Sequence, residues 1–163
     1  MVGAQTPFWK NFGGLRMRLK LFIFWFITIP FFTRIAGYFP ASKLGLFEDL
    51  PADVAEQWAR WAKTENYAFD ELPEMEQKFS ALKLPSLMIS FSDDKLAPRV
   101  AVLDLMNRYQ RMKWHHWHLN PDDVMQKNIG HFGFFSKKMQ STLWKETLEW
   151  INNPRKMNES KAA

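Results

Sequence analysis

The hydrophobic positions of this chain change their spacing from one segment to the next, and each spacing predicts a different element. Leu87 to Phe91 is a short apolar run behind Pro85, closed by the acidic turn at Asp93 and Asp94. Such a run suits a strand buried on both faces of a parallel sheet. From Pro98 the apolar residues Val100, Leu103, Met106 and Tyr109 recur at helical intervals, which predicts a helix from Pro98 to Tyr109. Lys113 to Leu119 predicts the next strand, with Trp114, His116 and His118 on one face and His115 on the other. A last helix covers about Lys138 to Asn152, burying Leu143, Trp144, Thr147, Leu148 and Ile151, and Asn153-Pro154 stops it. A strand that ends in a carboxylate before a turn and a helix puts that carboxylate at the C-terminal edge of the sheet, where ligands and chemistry sit in open α/β sheets.

The first half reads differently. Met1 to Gln5 offers a few residues of strand before Thr6-Pro7, and Gly13-Gly14 breaks the chain ahead of Leu15 to Phe39. Arg16, Arg18 and Lys20 precede an apolar run, Leu21 to Phe32, interrupted only by Thr28 and Pro30. A basic flank before an apolar run imitates a secretory signal. The run is shorter than the roughly twenty residues that cross a bilayer, and its basic flank begins well behind Met1. A core or lid helix is therefore the first reading, a membrane-surface helix the second and a signal the last. Asp49 to Lys63 predicts a further helix, with Asp49 as N-cap, Pro51 in the first turn and Val54, Trp58, Trp61 and Ala62 on one face. Thr64 to Glu74 reads as a polar linker, and Met75, Phe79 and Leu82 as a short helical element. Internal repeats are absent.

Composition narrows the function classes. With 47% hydrophobic residues, 15 Phe and 8 Trp, the chain can build a core and is not a disordered one. The lack of cysteine excludes disulfides and thiolate metal sites and fits a reducing compartment, so a cytoplasmic location is expected. A net charge of +5 spread among acids favours a solvated surface over nucleic-acid binding. His116 and His118 share a face and could hold a metal, but no third ligand is evident nearby, so no metal site is expected.

Two motifs carry a resemblance. Ser-Phe-Ser-Asp-Asp-Lys-Leu-Ala-Pro, ending at Pro98, and Ile-Gly-His-Phe-Gly-Phe-Phe, ending at Phe135, together resemble the C-terminal half of an α/β-hydrolase. Their wording is similar to a bacterial group of predicted α/β-hydrolases, from Val2 to about Ile151. The resemblance implies an α/β class with a partial α/β-hydrolase fold: a short, mostly parallel sheet of about three strands, flanking helices and a helical lid insertion. It implies one partial domain over residues 1–152, with the lid at about 8–63 and the acid/His subregion at about 84–152; the residues after it read as a polar tail at 153–163, disordered from Arg155 to Ala163.

In that family a serine nucleophile, an acid and a histidine follow one another along the chain. The resemblance implies Asp94 as the acid, four residues before Pro98, and His131 as the base, with Gly130 and Gly133 bringing its ring over the sheet edge. Asp93 is expected to face outward or cap the turn. A competing role for Asp94 is a carboxylate stabilised by the helix N-terminus near Pro98. The nucleophile is not here: none of the seven glycines brackets a serine as Gly-x-Ser-x-Gly requires, and the oxyanion-hole loop is missing. Phe91 also stands where the family carries a glycine. The chain is thus expected to supply Asp94, His131 and the lid of a serine-type ester or acyl hydrolase, and to be inactive alone. Its partners would be a small acyl or ester substrate once an N-terminal half completes it, or a second copy through the exposed sheet edge. No metal or organic cofactor is implied. The alternatives are a non-catalytic hydrolase-like fragment or interaction module, and a peripheral membrane protein docking through Leu15 to Phe39.

Overall fold

In the computed structural model, residues 1–154 are described, so all of the expected tail but Asn153 and Pro154 lies outside the described residues. The described residues divide into two compact units, Thr6–Phe79 and Met1–Gln5 together with residues 80–154.

The first unit is built on one long helix, α1, Leu15–Ala36. Its middle, Phe24–Thr28, is a π-helical turn directly ahead of Pro30. A proline inside a helix has no N–H to donate and crowds the preceding turn, and a widened turn relieves that conflict. Gly37, at φ +73°, closes the helix with its N–H on the Thr33 carbonyl, a left-handed ending that favours glycine. A two-residue strand, β1 (Tyr38–Phe39), then pairs antiparallel with β2 (Leu50–Pro51), and α2 (Ala52–Lys63) follows at once.

Trp25, Ile29 and Phe39 pack against Ala55, Ala59 and Ala62 of α2, which lets the two helices approach closely. Trp25 meets Trp58 edge to face at 4.8 Å, and the Thr33 hydroxyl donates to Glu56 Oε1 at 2.7 Å. The apolar face expected for α2 is therefore corrected: the alanines lead it, Trp58 sits at its margin, and Val54 is exposed. Asp49 is not the N-cap either. Pairing of Leu50–Pro51 with β1 holds Asp49 in the preceding loop, where it accepts hydrogen bonds from the Ser42 N–H and hydroxyl at 2.9 and 2.7 Å. The supposed linker contains a 3-10 turn, Tyr67–Asp70, that buries Ala68 and Phe69. Helix α3, Pro73–Ala81, comes after it.

The second unit holds a parallel pair. Strand β3 (Pro85–Phe91) runs beside β4 (Lys113–Leu119) in unbroken register from Pro85 opposite Lys113 to Phe91 opposite Leu119, and α4 (Arg99–Arg108) makes the crossover. On the other side of β3, the one pairing among the described residues is Val2, bridged in parallel to Ile89. Met1 accepts from the Ile89 N–H, and Gly3 donates to the Ile89 carbonyl, both at 2.9 Å. The sheet is thus two-stranded with a single flanking bridge, not three-stranded. Gly3 stands at φ +57°, so the backbone leaves the extended region after one bridged residue and the ladder cannot continue.

One sheet face buries Leu87, Ile89, Phe91 and Trp117 against Ile129, Phe134, Leu143 and Trp150. The other buries Met88 against Ala97, Val102, Leu105 and Met106. Helix α4 therefore presents Ala101, Val102, Leu105 and Met106 to the interior, and Val100, expected there, is exposed. A similar correction holds for the last helix. A π-helical turn, Gln140–Trp144, leads into α5 (Lys145–Asn152), and its wider winding rotates the following face. Leu143 and Trp150 are buried, while Leu148 and Ile151 are exposed.

Among the described residues, two small sheets and five helices make a mixed α/β class.

Candidate functional site

The C-terminal end of β3 is fixed first. The Ser92 N–H donates to the Leu119 carbonyl at 2.9 Å, carrying the ladder one residue past the strand, and the Asp94 N–H turns back to the Phe91 carbonyl at 3.2 Å. The Asp94 side chain is wholly buried there. Its Oδ1 accepts the backbone N–H groups of Leu96 and Ala97, both at 2.9 Å, so one oxygen shapes the turn that leads into α4. Its Oδ2 lies 2.9 Å from His131 Nδ1. The structure thus brings together the two residues singled out from the sequence, 37 positions apart.

Asp93 has a different task from the one expected. Its Oδ2 accepts from the backbone N–H groups of Ile129 and Gly130 at 2.7 and 3.0 Å, so it neither faces outward nor caps its own turn. Adjacent carboxylates divide the work: Asp94 holds the imidazole, and Asp93 holds the loop that presents it. Gly130, at φ +62°, sits in the left-handed region that this loop needs. Gly133 is required by packing, since a Cβ there would stand 2.9 Å from Ile129 Cγ2. The Phe132 ring meets the imidazole edge to face at 4.8 Å.

Gly3 belongs to the site and was not among the residues read from the sequence. A Cβ at this position would lie 3.4 Å from His131 Cε1, 3.5 Å from Nδ1 and 3.7 Å from Asp94 Oδ2. The readable signal was a glycine inside a strand-like stretch, which marks close backbone approach.

Comparison with protein-family models, curated proteins and solved structures found no match to this chain.

The geometry therefore speaks for itself. A carboxylate has only acceptors, and Asp94 uses both oxygens as such, so the bond to His131 requires the proton on Nδ1. The Nε2 lone pair is then the basic atom of the neutral ring. The imidazole side chain is 27% exposed, which leaves it open to a reacting partner while its anchor stays dry. An anchored imidazole of this kind can remove a proton from a hydroxyl, and the carboxylate stabilises the imidazolium that forms.

A second polar group lies on the α4 side of the sheet. Ser90 is fully buried, and its Oγ is 2.7 Å from His116 Nε2 and 2.8 Å from His118 Nδ1. The two histidines share a face, and His115 lies against Trp150 on the other, at 6.0 Å between rings. A hydroxyl has one proton to give, so it donates to one imidazole and accepts from the other, a pattern complete when both rings are neutral. Ser90 is committed to this pair and is extended within a strand. It does not have the setting of a nucleophile elbow. Among the described residues, no three His, Asp or Glu side chains gather as a metal-ligand set.

Burial pushes both imidazoles below the usual histidine value, helped at His116 by the charges of His118 and Arg99 and at His118 by Arg99. A lowered folded-state pKa means that the unfolded chain binds these protons more readily. Their contribution to stability is therefore full above about pH 6.5 and is lost as the pH falls from there through the lowered folded values. Urea denaturation between pH 7.5 and pH 5 should show this loss, and the His116→Gln/His118→Gln double variant should show a flatter profile. An unchanged slope in that variant would assign the acid sensitivity to other groups.

Proposed function

We propose that this chain carries the acid and the base of a serine-type α/β-hydrolase acting on an ester or other acyl compound, with Asp94 as the acid and His131 as the base. The observation that carries this reading is the 2.9 Å contact between Asp94 Oδ2 and His131 Nδ1 just beyond the C-terminal end of β3. Acid before base is also the chain order of that fold.

In the reaction, His131 Nε2 takes the proton of a serine hydroxyl as it attacks the acyl carbon, then returns it to the leaving group. Asp94 keeps the ring in the required tautomer and offsets the charge on the imidazolium. The resemblance supplies the finer architecture in this reading, with residues at about 8–63 as the lid. The nucleophile and oxyanion donors come from outside these 163 residues, because no Gly-x-Ser-x-Gly occurs among them.

The test is to join the chain to an upstream segment carrying such an elbow and assay a chromogenic p-nitrophenyl ester. Asp94→Asn and His131→Ala should each lower turnover about a thousandfold or more. Turnover retained within a few-fold in either folded variant would sink the assignment. It would leave the Asp94–His131 contact as a purely structural latch between the two loops.

A further inference from the structure

The hydrolase reading leaves the outer face of α1 without a task. Leu15, Leu19, Phe22, Ile23, Phe26, Ile27, Phe31 and Ile35 are all exposed, Leu15 at 84% and Ile35 at 71%. Most of them recur at intervals of three or four residues, so successive members lie near one another on the helix surface, and the π-helical turn at Phe24–Thr28 offsets part of the drift that a regular helix would give such a stripe. The opposite side, with Trp25, Ile29 and Phe32, is already committed to the core of the same unit. A helix that is apolar on both sides is at home only where something apolar covers the second side.

Charge decides what that cover is. Lys10, Arg16, Arg18, Lys20, Arg34 and Lys43 precede Glu48, and none of the chain's 17 Asp and Glu residues does. Arg18 folds back to donate to the Phe12 carbonyl. Arg16 and Lys20, four apart, flank the stripe at one end, and Arg34 stands at the other, beside a shallow groove of about 380 Å³ lined by Phe26, Ile27, Pro30, Phe31 and Ile35. Lys63 adds a cation 4.9 Å above the Phe26 ring.

We propose that this face of α1 docks on the surface of an anionic phospholipid bilayer, with the apolar stripe in the acyl boundary and Arg16, Lys20 and Arg34 among the headgroups. An apolar stripe bordered by cations is the pattern by which helices lie in a membrane interface. The helix lies on the bilayer and does not cross it. By length and composition alone its 22 residues could span. Between Lys20 and Arg34, however, it has only thirteen uncharged residues, about 20 Å of rise against roughly 30 Å of hydrocarbon. Its other side is also held by α2.

The full chain should sediment with vesicles of phosphatidylcholine containing one part in three phosphatidylglycerol, and much less with phosphatidylcholine alone. High salt should release it. Replacing Arg16, Lys20 and Arg34 together with Gln should weaken partitioning about a hundredfold, at close to 1 kcal/mol for each cation. Ile27→Ser/Phe31→Ser should weaken it as well, with circular dichroism confirming that α1 persists in both variants. Failure of the wild-type chain to bind the anionic vesicles would overturn the proposal. So would binding that ignores both lipid charge and the Gln variant. If the Ser variant instead converts a dimer to a monomer and leaves vesicle binding unchanged, the face belongs to a second copy and the proposal fails.

Discussion

Asp94→Ala should lower the free energy of unfolding by about 3–5 kcal/mol. The size follows from what the carboxylate satisfies. The Leu96 and Ala97 N–H groups donate to Oδ1, and the His131 ring donates to Oδ2, all at 2.9 Å around a buried side chain. Alanine leaves those donors without an acceptor in a site from which water is shut out, and an orphaned buried donor costs about 1–3 kcal/mol. Asp94→Asn separates the two tasks of the residue. Its amide oxygen can still accept from Leu96 and Ala97 and keep the turn, so its loss should be clearly smaller, about 1–2 kcal/mol. Its NH2 group, however, can only donate to the ring. Urea denaturation of the two variants measures both figures. An alanine variant within about 1 kcal/mol of the parent would mean that the turn is held by something else.

Gly3→Val should be nearly as damaging, at about 2–4 kcal/mol. Part of the cost is conformational, since φ +57° is a genuine outlier for a β-branched residue. The rest is steric. A Cβ would already touch His131 Cε1 at 3.4 Å and Nδ1 at 3.5 Å, and the two further methyl groups of valine add bulk beside the ring. The variant should therefore also disturb the His131 ring signals in an NMR titration, which a remote destabilisation would leave in place. Gly3→Ala should show the backbone share alone, about 1–2 kcal/mol. A Gly3→Val chain as stable as the parent would remove Gly3 from the site.

The parts of this structure legible in the sequence are those set by large apolar residues and by motif spacing. The apolar run at Leu87 to Phe91 and the segment Lys113 to Leu119 became the two parallel strands, with His116 and His118 on one face as the period of two requires. Asp94 and His131 were singled out through the resemblance carried by two short motifs, Ser-Phe-Ser-Asp-Asp-Lys-Leu-Ala-Pro and Ile-Gly-His-Phe-Gly-Phe-Phe, and not through a hydrophobic period.

What was missed has physical causes of another kind. The buried face of α2 is led by Ala55 and Ala59 beside the expected Ala62, and α4 also buries Ala101; such residues are small and leave little trace in a hydrophobic pattern. The faces of α1 and the last helix are shifted by π-helical turns, which a fixed helical period cannot anticipate. Asp93 reaches a loop 36 residues away, and Gly3 reaches the imidazole across the edge of β3. Neither contact has a local signature. The two-residue strands at Tyr38–Phe39 and Leu50–Pro51 are likewise products of tertiary pairing, and they moved Asp49 from helix cap to loop latch.

The proposed roles require that Asp94 fix the protonation pattern of one ring. Long-range 1H–15N correlation spectra of the neutral His131 imidazole read that pattern directly. The proton should sit on Nδ1 in the parent chain and move to Nε2 in Asp94→Asn. A parent ring protonated on Nε2, or a tautomer indifferent to the Asn substitution, would contradict those roles.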